Sequence, residues 1–454
     1  MSRQVSTAAG VFAPGHLGEL TRFMPFELVD AVLAEHRATE QRLRSLPSRV
    51  GVYFLLALGL FADLGYGQVW GNLVAGLGPV AGMPSVKALR DLRRRIGEAP
   101  VQALFETVAG PLAQPRTPGT RFGRWRTVSF DGCSSIKAPD TGRNAGWLGK
   151  ARAVRGVTGY PMVQLMTLAE TGTRALIGAV FGPAAGEAAR ARQLAGLLTR
   201  DMLVLADRGF DDAGLFEMIA AAGAAFLVRL NTRKPHILAR LDDGTQLARI
   251  GGLTVRIICA EVTVTCTDGT QWSGRYRWAT TLTNHRRYPA RALIFLYHER
   301  WEHEITYLAL RHTLLHGRVL RSQDPAGLRQ ELWALLTTYQ LLRTAMVSAV
   351  EQAPGANPDR AGFTTALRAA QNLLIKAENI IDDLDPAGQI GRAVLADLAP
   401  PRRLRVSTRK VKSALSRYNK ADPDRPAHTT TVQALTHKII PIETRQNLNP
   451  GGGP

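Results

Sequence analysis

Cysteine is scarce in this chain, and the three present (Cys133, Cys259 and Cys266) form no CxxC pair. Neither a disulfide framework nor a zinc site follows, and the composition suits a reducing cytoplasm. Long apolar runs are missing too. The longest, Val50 to Ala62, stops at Asp63 after 13 residues. That is too short to span a bilayer and too far from the start for a signal peptide, so it reads as a buried helix and no membrane partner is expected. No Gly-Lys-Ser/Thr phosphate loop occurs, which argues against nucleotide hydrolysis and a nucleotide cofactor. There is no internal repeat. Acids are also short: 37 against 57 Lys plus Arg, for a net charge of +20 and a pI near 10.6. Such an excess is usual in a polyanion binder and hard to explain in a small-molecule enzyme.

What is present is an apolar fraction of 45% over 454 residues, enough for roughly two to four structural units. Residues 1–16 carry little pattern and read as a loose leader. From Leu17 to about Ala113 the periodicity is helical. Pro84-Ser85 reads as a helix start, followed by Lys87, Arg90, Arg93, Arg94 and Arg95 with apolar residues between them. That is an amphipathic helix with a cationic face, suited equally to a DNA groove or to solvent. After a Pro/Gly/Arg-rich linker the pattern becomes α/β. Strands are expected at Thr127–Phe130, Met162–Ala169, Arg174–Phe181, Met202–Ala206 and Ala225–Leu230, with helices at Pro183–Thr199 and Asp212–Ala222. This is the ribonuclease-H order, with Asp131 and Asp207 at the ends of the first and fourth strands. Short strands at Leu253–Ala260, Val262–Cys266, Gly274–Thr283 and Ala292–Leu296 mark a β-rich interruption. Helices follow at Leu328–Arg343 and Phe363–Leu384. Arg402 to Lys420 then holds eight basic residues, Arg409, Lys410 and Lys412 among them, and no acid; it reads as a phosphate-contacting segment. Residues 421–454 read as disordered.

Three acids stand out. Asp-Gly at Asp131 is a common turn and an Asp before a helix is commonly a cap, but Asp211 and Asp212 already supply that cap, leaving Asp207 unexplained by capping. Strand ends are where α/β sheets place their chemistry. The third acid lies in Tyr297-His-Glu-Arg300-Trp-Glu-His-Glu304, continued by Arg311. Read as one helix, Tyr297, Arg300, Glu304 and Arg311 share a stripe about 60° wide. Taken alone this is a surface ion pair. Together with two upstream aspartates it is a way to hold a phosphodiester beside a metal-binding carboxylate.

These residues resemble those of DDE transposases of the insertion-sequence-4 family, whose signature is Tyr, two residues, Arg, three residues, Glu, six residues, Lys. Tyr297, Arg300 and Glu304 match it, and Arg311 stands where the Lys is expected. Phe130-Asp131-Gly132, Leu205-Ala206-Asp207-Arg208-Gly209-Phe210, Arg287-Tyr288-Pro289, Leu320-Arg321-Ser322 and Leu328-Arg329-Gln330-Glu331-Leu332-Trp333-Ala334 add to the resemblance. It implies an α/β chain: a ribonuclease-H-like catalytic domain interrupted by a β-rich insertion, flanked by mainly helical DNA-binding regions. The boundaries are an N-terminal DNA-binding domain at 1–120, a catalytic domain at 121–231 completed by helices at 291–345, the insertion at 232–290, and a basic C-terminal region at 346–454. It implies Asp131, Asp207 and Glu304 as ligands of two Mg²⁺ or Mn²⁺ ions. Tyr297, Arg300, Arg311 and Arg208 would grip phosphates, and Trp278 would stack on an unpaired base, with Trp272 second. The partner would be double-stranded DNA, both the terminal inverted repeats and the target, held by a homodimer in a synaptic complex at the nucleoid.

Overall fold

The computed structural model describes residues 15–40, 46–77, 83–153, 156–231, 233–353, 355–380, 387–400, 405–406, 410–411, 420–421 and 430–440. The helices in chain order are α1 (Phe26–Glu35), α2 (Ser48–Leu60), α3 (Tyr66–Val74), α4 (Val86–Ile96), α5 (Ala99–Val108), α6 (Gly142–Leu148), α7 (Glu187–Arg192), α8 (Ala213–Ala221), α9 (Ala290–Leu296), α10 (Trp301–Leu308), α11 (Pro325–Val350), α12 (Phe363–Lys376) and α13 (Gly388–Ala396). The main strands are β1 (Trp125–Lys137), β2 (Met162–Glu170), β3 (Leu176–Gly182), β4 (Met202–Ala206), β5 (Ala225–Arg229), β6 (His236–Arg240), β7 (Gln246–Ile250), β8 (Leu253–Cys266), β9 (Gln271–Thr280) and β10 (Thr430–Ile439). The chain forms two compact units: Met1–Arg121, Gly132–Ala185 and Trp301–Arg402 form one, and Phe122–Asp131, Gly186–Arg300 and Arg403–Pro454 the other.

In the first unit the apolar run becomes α2, buried at every residue except Arg49. It packs with α5, α12 and α13 around α11, a 26-residue helix capped by Asp324, whose side chain accepts from Gly327 N. A helix apolar on nearly all sides can only be a core helix. Gly59 lets α2 approach it closely, since a Cβ there would lie 2.7 Å from Thr338 Oγ1, and Thr338 Oγ1 donates to Leu56 O at 3.0 Å. β2 and β3 pair antiparallel in this unit beside β1. Among the described residues no helix is long and apolar enough to cross a membrane.

The cationic helix α4 begins where its sequence predicts, with Ser85 Oγ accepting from Ala88 N. Its charges do not share one face. Lys87, Arg90 and Arg94 are exposed, whereas Arg93 is buried. Arg93 Nε donates to Gln330 Oε1 at 3.2 Å and Nη2 to Ser322 Oγ at 3.0 Å, while Nη1 reaches the Tyr66 hydroxyl. Gln330 Nε2 donates back to Arg93 O at 2.8 Å and also to Gly97 O, closing the C-terminal end of α4. Glu331 accepts from Arg321 N and Ser322 N, and Arg321 Nη2 donates to Phe61 O at 2.9 Å. The motif blocks around 320–322 and 328–334 therefore form a polar seam between α2, α4 and α11.

The sheet of the second unit runs β10-β8-β9-β5-β4-β1, with β7 and β6 added outward from β8. β4 is parallel to both β1 and β5, and the remaining pairs are antiparallel. Several expectations change here. The two short strands at 253–266 are one continuous strand. Residues 292–296 lie in helix α9, because a short apolar run has no periodicity to separate helix from strand. Helix 183–199 shrinks to α7 plus a 3₁₀ turn (Ala195–Leu197). In the first unit, α12 stops at Lys376, where Ala377 turns left-handed. The leader reading fails at its end, since Gly15 and His16 are buried. The disordered tail reading fails at β10, which pairs with β8 and lays Leu435 and Ile439 on that core. Residues 1–14, 422–429 and 441–454 lie outside the described residues.

Candidate metal and phosphate site

The second unit gathers most of the site. Every residue of β4 is buried, as its unbroken apolar run predicts for a central parallel strand. Its register with β1 pairs Arg126 with Met202 through to Ser129 with Leu205. Asp131 and Asp207 each lie two residues beyond the last pair, Asp131 within β1 and Asp207 in the turn that follows β4. β1 does not end at Asp131, as expected from sequence, but runs on to Lys137 because Cys133 and Ile136 still have a core to enter. It is the neighbour β4 that stops. Phe130 and Phe210 stack with centroids 6.2 Å apart, seating the turn that carries Asp207. Asp207 does cap, contrary to the sequence reading: its Oδ1 accepts from Gly209 N at 2.8 Å and closes the 3₁₀ turn Arg208–Phe210. Asp212 separately caps α8 through Leu215 N.

Two neighbours define the electrostatics. Glu187, the first residue of α7, reaches the same turn: a Cβ on Gly209 would meet Glu187 Oε2 and lie 3.1 Å from Asp207 Oδ1. Burial and then the Asp207 charge push the Glu187 carboxyl above its ordinary value, with the Arg300 guanidinium opposing. Tyr297 is pushed up to about 12, chiefly by burial and further by Asp207, against Arg300 and Arg229. Arg300 is 9% exposed and donates to that phenol. Asp207, Tyr297, Arg300 and Glu187 thus belong to one neighbourhood. Arg208 is exposed beside them.

Trp278 is 3% exposed, stacked on Tyr276 and met edge-on by Tyr297, both at 5.7 Å. Alternation along β9 puts residues 276 and 278 on one face, and that face is core. Trp272 is half-buried toward the other end of the strand.

Glu304 and Arg311 belong to the first unit. The 100° stripe does not run unbroken, because Tyr297–Arg300 is 3₁₀, Trp301–Leu308 is α and Ala309–Leu314 is a π-turn. Arg311 lies half-buried in that π segment, a common device at functional sites. What fixes α10 is the face adjoining Glu304. His303 Nε2 and Thr167 Oγ1 are 2.6 Å apart, Tyr307 OH lies 2.9 Å from the same Thr167 oxygen, and the His303 and Tyr307 rings stack. With 303 and 307 pinned to β2, Glu304 stays exposed. A buried His beside a signature Glu was the available signal, and it reads in sequence as one more charge.

The donor set is all carboxylate oxygen, which suits a hard divalent cation. Among the described residues no three His, Cys, Asp or Glu side chains are grouped closely enough to hold an ion. Arg409 and Lys412 lie outside the described residues. Of Lys410 only the backbone is described, in a two-residue strand paired with Lys420–Ala421.

Residues 14–106 match the family described as insertion element 4 transposase N-terminal, and residues 130–341 match the transposase DDE domain. The transposase InsG of insertion sequence element IS4 from Escherichia coli strain K12 is 25% identical over 426 residues, covering 88% of this chain and 93% of that protein. A cryo-EM structure of a piggyBac transposase synaptic complex with hairpin DNA aligns at 9% identity with a TM-score of 0.40, over 84% of each chain, too slight a likeness to build on. The two domain matches follow one another in order and span the helical region, the aspartates and the Tyr-Arg-Glu signature. The chain belongs to the insertion-sequence-4 family of DDE transposases.

Proposed function

We propose that this DNA transposase cuts and joins phosphodiesters at its element's ends on a ribonuclease-H-like sheet, with Asp131, Asp207 and Glu304 as the metal-binding carboxylates. What supports the reading is that Asp131 and Asp207 each lie two residues beyond the last pair of the parallel strands β1 and β4. The order of β3, β2 and β1 in the first unit and of β1, β4 and β5 in the second agrees with that fold. Carboxylates gathered at one point repel unless cations neutralise them. When bound, two Mg²⁺ or Mn²⁺ ions would neutralise that charge and polarise the reacting phosphate.

The chain's own residues do the positioning. Arg300, held against Tyr297, offers a guanidinium to a phosphate oxygen at the strand ends, and Tyr297 stays protonated as a donor. Arg208 and Arg311 add positive charge from the β4 turn and the π segment. Lys87, Arg90 and Arg94 on the open face of α4, with the basic stretch 402–420, would hold the terminal inverted repeat, and two copies would pair two ends. The test is strand mapping on DNA bearing the element's ends. Asp131→Ala, Asp207→Ala and Glu304→Ala should each abolish cutting in Mg²⁺ while binding DNA at least as tightly as wild type in EDTA. Their defects should not add, because the three act as a unit. Asp91→Asn, on exposed α4, should cut normally. A wild-type protein that binds its ends and never cuts them in Mg²⁺ or Mn²⁺ is a DNA-binding protein instead.

A further inference from the structure

The helix α4 is anchored at one end and open at the other. Its last turn is tied down: Gln330 closes the final carbonyls, Arg93 enters the seam, and Arg95 donates to Leu46 O. Its buried stripe of Leu89, Leu92 and Ile96 lies so close on α2 that a Cβ on Gly51 would come within 2.8 Å of Leu92 Cγ. The first turn, capped by Ser85, is open instead. The Lys87 and Arg94 side chains are 87% and 75% exposed, and Arg90 is exposed with them. Two apolar side chains share that exposure. Val86 is 46% exposed, and Met83, just before the cap, is the most exposed large apolar side chain among the described residues at 64%. Val86, Arg90 and Arg94 follow one another at helical spacing on one stripe. A lone exposed apolar residue needs no explanation. A face that meets only water or only phosphates, however, gains nothing from a methionine and a valine at its leading end. The cations select a polyanion to cover this face, and the apolar group that duplex DNA presents in its major groove is the thymine 5-methyl.

We propose that α4 enters the major groove of the terminal repeat by its first turn, with Met83 and Val86 against thymine methyl groups. These two side chains select sequence, while Lys87, Arg90 and Arg94 hold phosphates. The proposal rests on the reading that the open face of α4 lies on end DNA. It adds what phosphate contacts lack, since they fix register and carry no sequence information. Helices that enter a groove place their N-terminal residues on base edges, and that is the end α4 leaves open.

The probe is a pair of end-DNA duplexes, one natural and one with uracil in place of every thymine, which deletes the methyl groups and keeps the base pairing. Wild type should bind the natural duplex more tightly by at least about fourfold, the factor for burying one methylene-sized group. The double variant Met83→Ala, Val86→Ala should bind the two duplexes alike. It should keep wild-type affinity for a scrambled duplex and the wild-type melting temperature. Arg90→Ala should weaken binding to all three duplexes and keep the thymine preference. A wild type blind to the substitution, or a double variant that retains the preference, overturns the proposal, while Arg90→Ala still reports α4 on DNA. If Arg90→Ala and the double variant both bind every duplex as wild type does, α4 is off the DNA, and the repeat-holding reading falls with the proposal. A double variant that melts earlier, or that alters the sedimentation of the free protein, assigns Met83 and Val86 to packing or to a protein interface and overturns it too.

Discussion

Gly209 shows how one residue in a motif block can be explained by its neighbours rather than by its own backbone. A methyl group there must displace Glu187 Oε2, the free end of a flexible side chain, and press on Asp207 Oδ1. Gly209→Ala should therefore cost stability little, within about 1 kcal/mol, yet lower cleavage at least about tenfold by moving both acids. A thermal melt beside a cleavage assay checks the split; a melt that falls as steeply as the activity would make Gly209 a packing residue. Tyr297 gives a second residue-scale test. Its pKa of about 12 exceeds the ordinary value of 10.0, so between those values the unfolded chain loses a proton that the folded chain keeps. Stability from this group is thus unaffected below about pH 10 and falls as pH rises above it, by up to about 2–3 kcal/mol. Tyr297→Phe should match wild type in pH-dependent unfolding below pH 10 and lose less above it. The strand β4 that leads to Asp207 was legible from sequence because a buried parallel strand announces itself as an unbroken apolar run. Glu187 was not, because an acid in a first helical turn always reads as a complement to the helix dipole.

Among the elements, α4 is the amphipathic helix its sequence predicts, but Arg93 leaves the cationic face for the core. A helix with arginines on several sides gives no sequence signal of which one is buried; that depends on Gln330 and Ser322, more than 220 residues away in the chain. Gln330 is the hinge of that seam, accepting from Arg93 Nε and donating to the last carbonyls of α4. Gln330→Ala leaves a buried guanidinium and two carbonyls short of partners, a loss of about 2–3 kcal/mol. Arg94→Ala, on the same helix but exposed, should stay within about 0.5 kcal/mol. Urea titration of the two variants tests the assignment, and equal midpoints would remove the seam from the stability account. The helix α10 was legible in outline only. Its signature residues were found, but the 3₁₀ start and π end depend on what Thr167 offers His303 and Tyr307 from a strand more than 130 residues earlier.

For the molecule as a whole, the charge of +20 is the property that reads most directly from composition to function. It is not spread evenly in purpose. Arg93 and Arg321 are spent on the seam inside the first unit, whereas Lys87, Arg90 and Arg94 face solvent. If the open face of α4 lies against the DNA backbone, each phosphate contact removed should flatten the log-affinity against log-salt slope by about 0.9. Changing Lys87, Arg90 and Arg94 together to Ala should therefore reduce the slope by up to about 2.7 on any duplex, whatever its sequence, with no change in melting temperature. The same triple change at Arg409, Lys410 and Lys412 measures the C-terminal stretch on the same scale, and contacts at separate sites should add. A slope that stays at the wild-type value for the α4 variant would mean that this face points to water and that the C-terminal stretch carries the phosphate contacts. A slope unchanged in both would leave the basic excess with no DNA contact at either place, and the inverted-repeat assignment would have to move to the second unit, where Arg275 and Arg277 line β9.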